Sequence, residues 1–176
     1  QVAPDLAIDR LRWVDKRERG VQPIWKLIGS GSVGGQSLVG IPTACRLRDD
    51  PALQPVSKVW PFETGFRPNP TPEVGPFVLH VEIWPGVVPD PLDRSIIIRD
   101  QAQVRAVVHW LSRLDTLGQL SELFAQPAGL SAEATKACVE EEGWIIGGGL
   151  KERELKISNP AGKALKAGRK PGTLKK

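Results

Sequence analysis

Along residues 77–84 the chain alternates regularly: Phe77, Leu79, Val81 and Ile83 fall on one side, and Val78, His80, Glu82 and Trp84 on the other. That two-residue period predicts a β-strand, which Pro85 ends. Val56-Ser57-Lys58-Val59-Trp60 reads as a second strand closed by Pro61, and the β-branched run Ile96-Ile97-Ile98 reads as a short third one. The period then changes. Val104, Val107, Val108, Leu111 and Leu114 recur at helical spacing, and Asp100-Gln101-Ala102-Gln103 before them has capping-box spacing, with Asp100 as N-cap. Further helices are expected over 5–19, stopped by Gly20, and over 117–124. One more is expected over 131–142, with Ser131 as N-cap and Gly143 just past its end. Residues 64–76 and 86–91 are proline- and glycine-rich loops. Strand, long connection, strand and then helices predicts an α/β layer fold over residues 1–150.

Between the first helix and the first strand lies Gly29-Ser30-Gly31-Ser32-Val33-Gly34. It has the G-x-G-x-x-G spacing of a dinucleotide turn, which needs a strand before it, an unbroken helix after it and an acid about 20 residues on. Residues 24–28 suit a short strand. The helix expected over 36–47, however, meets Gly40-Ile41-Pro42, where an internal proline costs about 3 kcal/mol. Asp49 and Asp50 end a charged run and do not close a buried strand. The expectation is a helix broken near Gly40 and no NAD or FAD on these glycines.

Composition changes the picture mainly at the C-terminus. Residues 151–176 hold nine basic residues against two acidic ones, so +7 resides there and the remainder carries −3 of the net +4. This segment has too few apolar residues to offset its ordering entropy, so a solvated basic tail is expected, with weak phosphate binding as the alternative. Gln1 at the start and the lack of methionine suggest a processed chain or a segment of a longer one. No apolar run approaches the length of a membrane span, and nothing resembles a signal peptide. Cys45 and Cys138 lack metal-ligand spacing and read as buried, reduced thiols. A cytoplasmic setting without membrane partners is the expectation.

The carboxylates carry the candidate chemistry. Glu82 stands near a strand end on the face of His80, a position where a carboxylate needs a partner; it is either functional or paired to an arginine or His80. Glu63 follows the other Trp-Pro strand end and suits a turn contact or a ligand role. Asp100 opens the long helix, as a cap or as an oxygen ligand pointing toward the sheet. Should Glu82 and Asp100 converge, they offer the donors that Mg²⁺ or Mn²⁺ prefers. His80 reads as a hydrogen-bonded strand histidine and His109 as a packing residue. No serine, histidine and acid have a spacing that favours nucleophilic catalysis.

Six segments taken in order are similar to one group of bacterial proteins: the stretch 25–36 around the glycines, Gly40-Ile41-Pro42, Val59-Trp60-Pro61-Phe62-Glu63-Thr64-Gly65, Val81-Glu82-Ile83-Trp84-Pro85, 99–104, and Glu141-Glu142-Gly143-Trp144-Ile145. The chain resembles the C-terminal half of an uncharacterised bacterial family related to nucleases of the RNase H-like fold. Some members carry the labels molybdopterin guanine dinucleotide synthesis or cobalamin biosynthesis. The resemblance implies a partial RNase H-like sheet with flanking helices, lacking the early strands and their central aspartate. It further implies a metal-dependent, nuclease-type hydrolase that is inactive in isolation, with catalytic Glu82 and Asp100 and metal ligands Glu82, Asp100 and Glu63. The implied partners are nucleic acid or a nucleotide, and either another chain or the missing N-terminal half. Two alternatives stand beside it: a non-catalytic nucleotide- or cofactor-pathway protein, and a structural half-domain completed by a partner. The last should expose an unpaired sheet edge and an apolar face.

Overall fold

The computed structural model describes residues 9–29 and 31–150; the predicted basic tail and the start of the first predicted helix lie outside them. Its helices are α1 (Trp13–Arg17), α2 (Val33–Arg48), α3 (Arg99–Thr116) and α4 (Ala132–Ala137). Its strands are β1 (Ser57–Val59) and β2 (Val78–His80). They pair in parallel, with Ser57 opposite Val78 and Val59 opposite His80. Beyond β2 the chain makes one more parallel bridge, Glu82 to Ile145, in which the Ile146 N–H donates to the Glu82 carbonyl at 3.0 Å. The order across this small layer is therefore β1, β2, then the segment around Ile145. Mixed α/β architecture is what the described residues show.

The core sits where these pieces meet. Trp60, Trp110, Trp144, Leu114, Ile145, Val14 and Cys138 are essentially sealed from water. Trp60 meets Phe66 and Phe124 edge to face at 5.5 and 5.8 Å, and Phe66 meets Trp144 at 5.9 Å, the geometry that the ring quadrupoles favour. Leu79 and Val81, from one side of the predicted alternation, pack against this cluster, as does Trp84 from the other. At the C-terminal end the expected cap is present: the Ser131 Oγ accepts from the Ala134 N–H at 3.1 Å. After α4 the helix widens into a π turn over Cys138–Glu142 and stops at Gly143, whose φ is +72°.

Several expectations need correction. Ile96-Ile97-Ile98 is not a strand; it is a loop leading into α3, with Ile97 almost wholly exposed. The helix expected over 117–124 is a 3₁₀ turn at Leu120–Phe124, because α3 itself runs on to Thr116. α3 begins at Arg99 with Ile98 as N-cap and no side-chain capping bond, so Asp100 lies inside the first turn and caps nothing. The buried side of α3 is Ala102, Val107, Trp110 and Leu114, while Val104 and Val108 are exposed. Trp110 is the largest apolar side chain on the helix, and its burial turns those two valines outward. His109, expected to pack, is exposed. The helix after the glycines is not broken: α2 runs through Gly40 and Pro42 for 16 residues. Pro42 deprives the Leu38 carbonyl of its helical partner, but both residues are exposed, so water can take that bond.

Candidate functional site

Residues 24–28 are turn and coil, not strand, so the glycine motif lacks the strand that a dinucleotide turn requires. Gly34 has a packing reason of its own. A Cβ there would lie 2.4 Å from the Ile24 carbonyl oxygen and 3.0 Å from Leu27, and the Gly34 N–H donates to the Lys26 carbonyl at 3.0 Å. The glycine lets the start of α2 sit directly on the preceding turn.

The three predicted site carboxylates go to three different tasks. Glu82 is clamped by Arg12, whose Nη1 and Nη2 donate to its two oxygens at 2.7 and 2.8 Å. Glu63 stays local: its backbone N–H donates to the Val59 carbonyl at 2.8 Å, and its Oε2 accepts from the Val59 N–H at 2.7 Å. Asp100 is exposed and has no hydrogen-bond or ion-pair partner among the described residues. Among the described residues no three His, Cys, Asp or Glu side chains come together in a way that could hold a metal ion. With both Glu82 oxygens on a guanidinium and Glu63 on a backbone amide, this donor set does not fit a shared divalent cation. His80 makes a strand contact, its Nε2 lying 3.3 Å from the Ser57 Oγ.

Arg12 is the hub that residue spacing could not reveal, because its partner Glu82 is 70 positions away. Nε and Nη2 donate to the two oxygens of Asp15 at 3.1 and 3.0 Å. Nη1 donates to the Glu142 carbonyl at 3.2 Å in addition to Glu82. All five N–H donors are thereby used, in the fork geometry that suits guanidinium and carboxylate. Asp15 also accepts from the Arg12 backbone N–H, and the Glu142 carboxylate accepts from the Trp13 N–H at 2.7 Å. Burial works against the charge on Arg12, but the bonds to Glu82 and Asp15 outweigh it and push its pKa further up. The network ties α1, the chain beyond β2 and the π turn into one unit. It is built to hold the fold, and nothing in it is an open donor or an unshared proton.

Two further features bear on function. Burial, with the nearby Glu142 charge, raises the Cys138 thiol to about 11, so this sulfur is an inert core atom. A cavity of about 500 Å³ is lined by residues that include Gln119, Glu122, Gln126, Trp144 and Leu150. None of Glu63, Glu82 or Asp100 lines it, whereas Glu63 lines a different concavity of about 490 Å³ together with Lys58 and Arg67.

The described surface also exposes several large apolar side chains. Trp25, Leu27, Ile28, Leu38, Val39, Ile41 and Leu47 are each more than half exposed, and all lie on or just before α2. Among the described residues the expected open sheet edge is largely closed. The chain after β1 turns its Trp60 N–H to the His80 carbonyl, and three of the four outward backbone groups of Ser57 and Val59 are already taken. Val59 is closed on both N–H and carbonyl by Glu63, and the Ser57 N–H bonds to Gln54. On the other side, residues 143–148 are buried. No family model, no curated protein and no solved structure matches the chain. No described helix is long and apolar enough to cross a membrane.

Proposed function

We propose that this protein is an interaction module, one part of a larger α/β assembly in which another polypeptide packs on α2. The observation that carries this reading is the state of α2 itself. Its 16 residues bury only Gly34, and Pro42 with Gly40 costs a helix about 4 kcal/mol relative to alanine. Isolated helices of this length are marginal even when rich in alanine. A helix with that sequence and so little packing needs a cover to persist. Because Glu63 closes the outer edge of β1, the partner is met by the helical layer and not by strand addition. Hydrogen exchange tests the reading. In a chain diluted until monomeric, the amides of 38–47 should exchange nearly as fast as in an unfolded peptide, while those of α3 stay protected. Strong protection of 38–47 in a proven monomer would end it.

Metal-dependent hydrolysis, which the RNase H-like resemblance implies, is the second reading, and one observation favours it: Asp100 is exposed and unpaired among the described residues. Hydrolysis of a nucleic acid with Mg²⁺ or Mn²⁺ that disappears in Asp100→Asn supports it. Equal rates with and without the substitution reject it.

A further inference from the structure

We propose that the cavity beside β1 binds a small organic anion, a carboxylate or phosphate group joined to an apolar body about the size of one ring. The cavity measures about 490 Å³, within the range of small-molecule sites. None of its lining residues belongs to α2, so the site stands apart from the interaction reading above.

The charge it asks for follows from which groups are already used. The wall carries Lys58, Arg67 and one acid, Glu63. Both oxygens of Glu63 are engaged: Oε2 accepts from the Val59 N–H at 2.7 Å, and Oε1 lies 3.8 Å from the Lys58 Nζ. Arg67 has no hydrogen-bond or ion-pair partner among the described residues. One positive charge is therefore left over, and it is a guanidinium, whose fork of N–H donors matches the paired oxygens of a carboxylate or phosphate. Two hydroxyls share the wall. Thr64 Oγ1 donates to the Gly65 carbonyl at 3.1 Å, while the Thr71 hydroxyl has no partner among the described residues and can donate to a ligand. Glu73 stands between two lining residues, Pro72 and Val74, but is exposed and is not part of the wall.

The apolar part of the wall tells what the anion is attached to. Val56, Val74 and Phe77 line the cavity together with four prolines. Val74 is 88% exposed and Phe77 only half-buried, so an apolar body lying there takes carbon surface out of water. A bare inorganic ion would leave that surface wet. Each proline ring fixes its own φ. The wall is thus largely shaped before a ligand arrives, which lowers the ordering cost of binding.

Titration of the ¹⁵N-labelled full chain with phenyl phosphate and with phenylacetate tests this. At least one of the two should shift the amides of Lys58, Glu63, Arg67 and Phe77 saturably, with a Kd below about 1 mM; the tighter one assigns the anionic group. Arg67→Ala should weaken binding about tenfold or more. Arg67 is exposed, so the α3 amides should keep their positions in that variant, which separates loss of binding from loss of fold. Glu63→Gln should tighten binding about threefold, because the amide oxygen still accepts from the Val59 N–H while Lys58 is released from its counter-charge. Glu73→Gln, off the wall, should change it less than about twofold. The proposal is overturned if neither anion gives a saturable shift, or if Arg67→Ala binds as the wild type does. Inorganic phosphate binding as tightly as phenyl phosphate overturns it as well, since the apolar wall would then have no part. So does an equal gain from Glu63→Gln and Glu73→Gln, which would mean diffuse attraction to a basic face and no site.

Discussion

The helices α2 and α3 are of similar length, 16 and 18 residues, and they meet the solvent in opposite ways. α3 carries charge along its length, from Arg99 and Asp100 to Arg113 and Asp115. It nevertheless buries Ala102, Val107, Trp110 and Leu114 in the core. α2 carries no charge until Arg46 and buries one glycine. Overall hydrophobicity therefore does not select which helix the core takes. A charged outer face tells α3 which side to turn away, and Trp110 supplies enough apolar area on the other to fix it. α2 has no such instruction, so its apolar residues remain available to another surface.

The sharpest way to break this comparison is to truncate one large side chain on each helix in the dilute monomer. Trp110→Ala empties a fully sealed site beneath Gly147, where a glycine Cβ would lie only 2.7 Å from the indole. A loss of about 3–5 kcal/mol is expected in urea unfolding. Leu38→Ala, on a side chain already two-thirds exposed, should stay within about 0.5 kcal/mol. Comparable losses at the two positions would mean that α2 is packed within the monomer and that the contrast is false.

The Arg12 network sharpens the same contrast from the core side. Arg12→Ala leaves the buried Asp15 carboxylate without its cation, for which a loss of about 3 kcal/mol is expected. Arg12→Lys should recover little, because an ammonium cannot serve two carboxylates bidentately. Glu82→Gln should cost only about 1 kcal/mol, since Glu82 is partly exposed and its partner keeps Asp15. Thermal unfolding of the three variants gives the order. If Glu82→Gln proves as damaging as Arg12→Ala, Glu82 has a role beyond the clamp.

The elements that could be read from the sequence are those whose signal is local. Both strands lie inside the predicted runs, each ahead of its Trp-Pro pair, because alternation and proline act over a few residues. The Ser131 cap and the Gly143 stop were legible for the same reason. The rotation of α3 was not, because the predicted face of Val104, Val107, Val108, Leu111 and Leu114 left Trp110 off it, and only packing in the core turns Trp110 inward. Glu82 was legible as a carboxylate that needs a partner, and arginine was one of the partners foreseen. That the arginine is Arg12, shared with Asp15 and the Glu142 carbonyl, depends on how α1 folds back, and no spacing encodes it. Glu63 was foreseen as a turn contact, but its closing of the β1 edge required the register of the sheet.

The smallest expected effect lies within α2 and separates its seat from its body. Gly34 and Gly40 are both helical glycines, so a pattern-based argument would replace either with alanine for the same gain in helix propensity. Their surroundings differ. A methyl group at Gly34 would strike the Ile24 carbonyl at 2.4 Å, a backbone atom that cannot swing aside, whereas one at Gly40 would have nothing within 4 Å. Gly40→Ala should therefore raise the stability of α2 by up to about 1 kcal/mol, slowing exchange of the 38–47 amides about fivefold in the dilute monomer. Gly34→Ala should do the reverse, detaching the helix start from the preceding turn and speeding exchange at residues 33–37. The two substitutions differ only in position, so opposite signs isolate the one place where α2 is held by its own chain. Equal slowing by both would show that the seat at Gly34 yields, and that α2 has no anchor of its own short of the surface that covers it.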